Sequence, residues 1–162
     1  MSDSATLASA WEIERKFLVA EAPPGLDGYP HEPIRQGYLA LTDDGAEVRL
    51  RHKAGRFYQT IKQGEGLQRA EVEVELTHPQ FDALWPLTEG RRVEKVRYVI
   101  AYEGRTIELD VYQGALVGLM TAEVEFPSLE TSAAFEPPAW LGVEVTEEAR
   151  YKNKNLAVFG MP

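Results

Sequence analysis

Trp11-Glu12-Ile13-Glu14-Arg15-Lys16-Phe17-Leu18-Val19 alternates as a β-strand does. Successive strand side chains point to opposite faces, so Glu12, Glu14 and Lys16 share one face while Ile13, Phe17 and Val19 share the other. Two carboxylates two residues apart on a strand point the same way. They lie close enough to share a hard divalent cation, and the lysine beside them can hold an anion. One such strand is ordinary, but here the pattern returns strand after strand with like charges grouped.

Outward from that stretch, Arg49, Arg51 and Lys53 share a face against Val48 and Leu50, and Tyr58, Thr60 and Lys62 share another. Arg69, Glu71, Glu73 and Glu75 oppose Val72, Val74 and Leu76. Lys95 and Arg97 sit between Val93 and Val99, Glu108, Asp110 and Tyr112 oppose Ile107, Leu109 and Val111, and Glu123 and Glu125 oppose Val124 and Phe126. Period two alone leaves the orientation open, because an antiparallel sheet with its charged face in water reads the same way. The segregation by sign argues against a simple solvated face, since like charges repel and a surface built for stability mixes them. The acidic strands (first, seventh, eighth) and the basic ones (third, sixth) read as two halves of one site. A barrel lined by them would bind cations on one wall and a polyanion on the other. Its apolar outer face would then need covering, by helices at 78–85 and 146–159.

The spacing of turn residues supports such a barrel. Strand-like runs fall at 11–19, 34–42, 46–53, 56–63, 68–77, 92–102, 105–113 and 119–127, joined mostly by short Gly- or Asp-containing connectors. Residues 21–33 are rich in Pro and Gly and read as a loop. Phe81, Leu84 and Trp85 mark a short helix capped by Thr77, residues 128–135 a second, and Thr146 with Glu147 and Glu148 the start of a third ending near Phe159. Eight antiparallel strands favour a closed β-barrel, because closure removes edges. The expected class is α+β, mainly β, with a few short helices outside. Residues 1–10 are expected to be disordered and 11–160 to form one domain.

The chain has 162 residues, 44% of them apolar and 27% charged, enough for one globular domain with a real core. A net charge of −9 disfavours nucleic acid as a partner but leaves room for a small phosphate ligand on a local basic cluster. The absence of cysteine rules out disulfides, thiolate metal sites and a cysteine nucleophile, and the three histidines have no ligand spacing. No signal peptide or membrane-spanning run is apparent, so a cytoplasmic protein is expected.

Taken in order, Glu12-x-Glu14-x-Lys16, Arg49-Leu50-Arg51, Lys62, Glu71-x-Glu73, Lys95-x-Arg97, Asp110 and Glu123-x-Glu125 resemble the CYTH superfamily, the triphosphate tunnel metalloenzymes. The wording around residues 12–19, 35–39, 84–86, 89–95 and 150–154 is similar to the short bacterial inorganic triphosphatases of that superfamily. The resemblance implies an eight-stranded tunnel with its charged faces inward, hydrolysing a small-molecule triphosphate with Mg²⁺ or Mn²⁺.

On that basis Glu12, Glu14, Glu123 and Glu125 are assigned to metal, with Asp110 a further ligand. Lys16, Arg49, Arg51, Lys62, Lys95 and Arg97 are assigned to the triphosphate, with Lys152 reaching over one mouth. Lys16 could also assist the chemistry, and Tyr38 could hydrogen-bond phosphate or Lys16. Glu71 and Glu73 are placed in support, to orient the basic residues or bind metal at one remove. The expected reaction converts inorganic tripolyphosphate to pyrophosphate and phosphate. An adenylate cyclase, a thiamine or nucleoside triphosphatase, and a non-enzymatic polyphosphate-binding module are the alternatives. The oligomeric state stays open between monomer and homodimer.

Overall fold

The alternating runs all become strands. A computed structural model describes residues 5–11, 13–64 and 68–162; for residues 5–11, 68 and 69 only the backbone is described. The strands are β1 (Ala5–Trp11), β2 (Glu14–Leu18), β3 (His31–Leu41), β4 (Glu47–Lys53), β5 (Arg56–Gln63), β6 (Gln68–Leu76), β7 (Arg92–Tyr102), β8 (Arg105–Tyr112) and β9 (Met120–Glu125). They form one sheet in the order β1-β6-β5-β4-β3-β7-β8-β9-β2, antiparallel at every pairing. Three short helices accompany it: α1 (His78–Leu84), α2 (Leu129–Ala134) and α3 (Asn153–Phe159). Thr77 and Ser128 cap α1 and α2 through capping boxes.

Three features differ from the sequence expectation. First, Ala5–Trp11 is a strand rather than a disordered lead, running in register along β6 from Ala5 opposite Val74 to Trp11 opposite Gln68. Its small residues give no strand signal of their own; the ladder to β6 supplies the structure. Second, the ring is not closed by pairing of its end strands. β1 and β2 lie at opposite ends of the sheet yet are joined by residues 12 and 13 alone, so three virtual bonds of 3.8 Å separate Trp11 from Glu14 and the ends must curl together.

The second edge of β2 is covered instead by residues 142–145: Leu18 donates to the Val143 carbonyl, Gly142 to Leu18 and Val145 to Lys16. Gly142 allows this approach, since a Cβ there would stand 2.7 Å from the Leu18 carbonyl oxygen. Third, the final helix begins at Asn153 and not at Thr146. The Thr146 hydroxyl accepts from the Lys16 backbone N–H and donates to Glu144, so it is held by β2 and caps nothing.

Core packing settles which face is inside. Phe17, Ile100, Ile107, Leu109, Ala122, Val124 and Phe126 form an apolar layer on the outer face of β2, β7, β8 and β9, packed by Leu26, Tyr29, Phe135, Trp140 and Leu141 from the connecting loops. Arg15 holds this cover down with two bonds to Glu144, at 3.0 and 2.7 Å, and one to the Ser132 carbonyl. Elsewhere α1 covers the outside through Phe81, stacked among His52, Phe57 and Trp85. The turn after α1 presses against Gly37, where a Cβ would meet Thr88 at 2.6 Å. The helix α3 does not cover the outer face. Leu156 and Ala157 pack on Tyr38, Val93 and Tyr112, which share the face of Gln36, Lys95 and Asp110, so α3 closes one end of the tunnel.

Candidate active site

The inward faces of β2, β4 and β7 place a cluster of cations at the tunnel centre. Lys16 and Arg97 are buried, Arg49 is 8% exposed and Lys95 fully enclosed. Asp110, also enclosed, is the organising anion: one oxygen lies 2.7 Å from Lys95 Nζ, and Arg97 grips both oxygens at 2.8 and 2.9 Å. Register explains the contact, because Asp110 on β8 stands directly opposite Arg97 on β7. Burial alone would raise the Asp110 pKa, but Lys95 and Arg97 outweigh it and hold the carboxyl well below its usual range. Burial pushes Lys95 down to about 8; Asp110 pulls the other way, and Arg97 and Arg51 add to the drop. Arg97 keeps its proton because Asp110 and Glu108 overcome the cost of burial.

Arg49 and Arg51 differ from that pair. Among the described residues neither has a carboxylate within salt-bridge distance, and the buried Arg49 Nε has no hydrogen-bond partner. Arg51 donates twice to Gln36 Oε1, at 2.9 and 2.6 Å. Its pKa is lowered to about 10, by burial first and then by repulsion from Arg49 and Arg97. A buried guanidinium and a half-buried one with no counter-ion among the described residues are costly unless an anion completes them.

The acidic wall lies across β2, β9 and β8. Glu14 pairs directly with Glu125, and Glu123 stands between Lys16 and Glu108 in register. Lys16 Nζ is 3.3 Å from Glu123 and also donates to the Tyr151 carbonyl. Glu108 reaches Arg97 at 3.2 Å. Among the described residues no three carboxylates or imidazoles converge into a ready metal cluster. The donor set is nonetheless all oxygen, the ligand type that a hard divalent ion takes. These residues therefore fit a hard divalent ion. Glu12, expected to be a ligand, lies outside the described residues.

The remaining expected residues divide. Lys62 lies between Glu47 on β4 and Glu71 on β6, and Glu73 accepts from Thr60 at 3.2 Å. Tyr38 is buried on the tunnel face, but its hydroxyl meets Gln36 at 2.7 Å and not Lys16. Lys152 is exposed at the start of α3. The side chain this segment sends inward is Asn153, whose Oδ1 accepts from Tyr112 at 2.6 Å and faces Lys95 Nζ at 3.5 Å. Gln36, Glu108 and Asn153 also face this cluster; the charge and parity of Glu108 mark it in the sequence, whereas the two amides carry no charge to announce them.

Residues 10–158 match the model of the CYTH domain, and the chain belongs to that family. It is 52% identical over 149 residues to the inorganic triphosphatase of Nitrosomonas europaea, covering 91% of this chain and 97% of that one. To the inorganic triphosphatase of Acetivibrio thermocellus it is 36% identical over 151 residues, covering 90% and 92%. A crystal structure of an inorganic triphosphatase superposes with a TM-score of 0.73 at 49% identity, covering 91% of this chain and 94% of that one.

Proposed function

We propose that this protein is a metal-dependent triphosphatase that hydrolyses the terminal phosphate of inorganic tripolyphosphate to give pyrophosphate and phosphate. The observation that carries it is the pair of Arg49, buried, and Arg51, half-buried, on the tunnel face with no carboxylate partner among the described residues and set beside Lys95, Arg97 and Lys16. Kinship to two inorganic triphosphatases across nearly the whole chain supports the same reading.

The basic wall holds the polyanion. Arginine offers a planar fork to phosphate oxygens and lysine a point charge, and each charge-assisted bond contributes roughly 1.5–3 kcal/mol. Asp110 keeps Lys95 and Arg97 charged and aligned, so its part is that of counter-ion rather than metal ligand. Lys16 presents its ammonium between the two walls, and Tyr38 offers a neutral hydroxyl, since burial raises its pKa. Mg²⁺ or Mn²⁺ would be held by Glu14, Glu123 and Glu125, and would supply positive charge to the phosphate oxygens and acidify water. Water adds to the terminal phosphorus in line with the bridging oxygen, which leaves with pyrophosphate. The fixed cations stabilise the charge that develops, and no covalent intermediate is needed.

The test is phosphate release from tripolyphosphate, ATP and thiamine triphosphate in parallel, each with Mg²⁺, Mn²⁺ or EDTA. Metal-dependent release, fastest from tripolyphosphate, is expected. Release from none of them would leave a polyphosphate-binding tunnel without turnover, and cyclic AMP from ATP would make it a cyclase.

A further inference from the structure

We infer that Gln36 is a positioning residue: it fixes the hydrogen-bond polarity of Tyr38 so that the tyrosine proton is delivered to the ligand in the tunnel. The inference rests on the reading of the tunnel as a triphosphate site. Gln36 is fully buried in the middle of β3, on the face that also carries Tyr38. Its neighbours leave it one orientation. Arg51 has only N–H groups to offer, and two of them meet the Gln36 Oε1 at 2.9 and 2.6 Å. The other end of the amide, Nε2, can therefore only donate, and the Tyr38 hydroxyl oxygen lies 2.7 Å away.

A hydroxyl that accepts from Gln36 must send its own proton elsewhere. Among the described residues that proton has no acceptor, while Arg49 stands directly opposite Tyr38 on β4. An acceptor placed between Arg49, Arg51 and Tyr38 would complete both the guanidiniums and the phenol, and a phosphate oxygen is such an acceptor. The chain Arg51, Gln36, Tyr38 thus runs donor to acceptor in one direction, and each bond strengthens the next. The amide does what a carboxylate in its place would undo. A carboxylate would satisfy Arg51 equally well but would draw the Tyr38 proton toward itself.

The test is a double-mutant cycle on Gln36→Glu and Tyr38→Phe, read by calorimetric titration with tripolyphosphate and Mg²⁺ and by phosphate release, with melting temperature as the fold control. Gln36→Glu keeps the shape and the Arg51 contact. It is expected to weaken tripolyphosphate binding or kcat/KM by about tenfold or more. In the Tyr38→Phe background most of that loss should vanish, leaving only the effect of the added charge. Gln36→Met, which adds no charge, should show a smaller loss with the same dependence on Tyr38 and serves where Gln36→Glu does not fold. Equal losses in both backgrounds would overturn the inference, as would full affinity in Tyr38→Phe. Wild-type protein that binds tripolyphosphate but releases no phosphate would overturn the triphosphatase reading alone, and the coupling in affinity would still decide this one.

Discussion

Strands β8 and β9 carry buried side chains on both faces, and the two faces could hardly differ more. Outward, Ile107, Leu109, Ala122 and Val124 are fully enclosed in an apolar layer. Inward, Asp110 is just as enclosed, but among Lys95, Arg97 and Glu108. Solvent exposure does not separate them; chemistry does. The outer face gains free energy by leaving water. The inner face loses it, and recovers part through ion pairs that Asp110 completes and Arg49 and Arg51 do not. The fold stands on the first face and holds the second in a state that a polyanion relieves.

That contrast can be broken from the outside first. Leu109→Ala should cost about 2–5 kcal/mol of stability, as other buried leucines do, and leave the kcat of the folded protein near wild type. Denaturant unfolding and kinetics on the same sample check both halves. From the inside the signs reverse. Arg49→Met should raise the apparent KM for tripolyphosphate by about tenfold to a hundredfold, the worth of one charge-assisted contact. The same change should leave the melting temperature unchanged or higher, because it removes a buried cation that has no carboxylate partner among the described residues. A clear fall in melting temperature would show that Arg49 is already compensated.

The basic wall should also carry a pH signature. Lys95 titrates near 8 in the fold, against an ordinary 10.5. Between those values the unfolded chain binds the extra proton, so this lysine makes stability rise with pH across that window. Polyanion affinity moves the opposite way, because the ammonium discharges. KM for tripolyphosphate should climb above about pH 8, and Lys95→Arg, which does not titrate there, should flatten the climb. Lys154, on α3 away from the Asp110 cluster, sets the lower bound. Lys154→Ala should change stability by less than about 0.5 kcal/mol and leave KM alone.

Much of this contrast was legible in the sequence because period two and charge sign are local properties. Arg49, Arg51, Lys95, Arg97, Asp110, Glu123 and Glu125 could be placed on their faces from parity alone, and eight of the nine strands fall within a few residues of their expected bounds. What parity could not give was partnership. Asp110 read as one more acid beside the glutamates, and only the β7–β8 register shows it facing Arg97. Thr146 carried every local mark of a helix cap, and a tertiary contact with β2 took its hydroxyl instead. Gln36 and Asn153 are uncharged, so their place in the tunnel depends on who bonds them. Ala5–Trp11 is a strand only because β6 offers it a ladder.

If the inner face of this sheet is a metal-assisted phosphate site, its acidic wall must be needed for turnover. Phosphate release from tripolyphosphate with Mg²⁺, measured side by side for the wild type and Glu14→Ala, decides this. Metal-dependent release by the wild type, with Glu14→Ala silent and its melting temperature unchanged, is the predicted result. Equal rates for the two proteins would show that the acidic wall holds no catalytic metal.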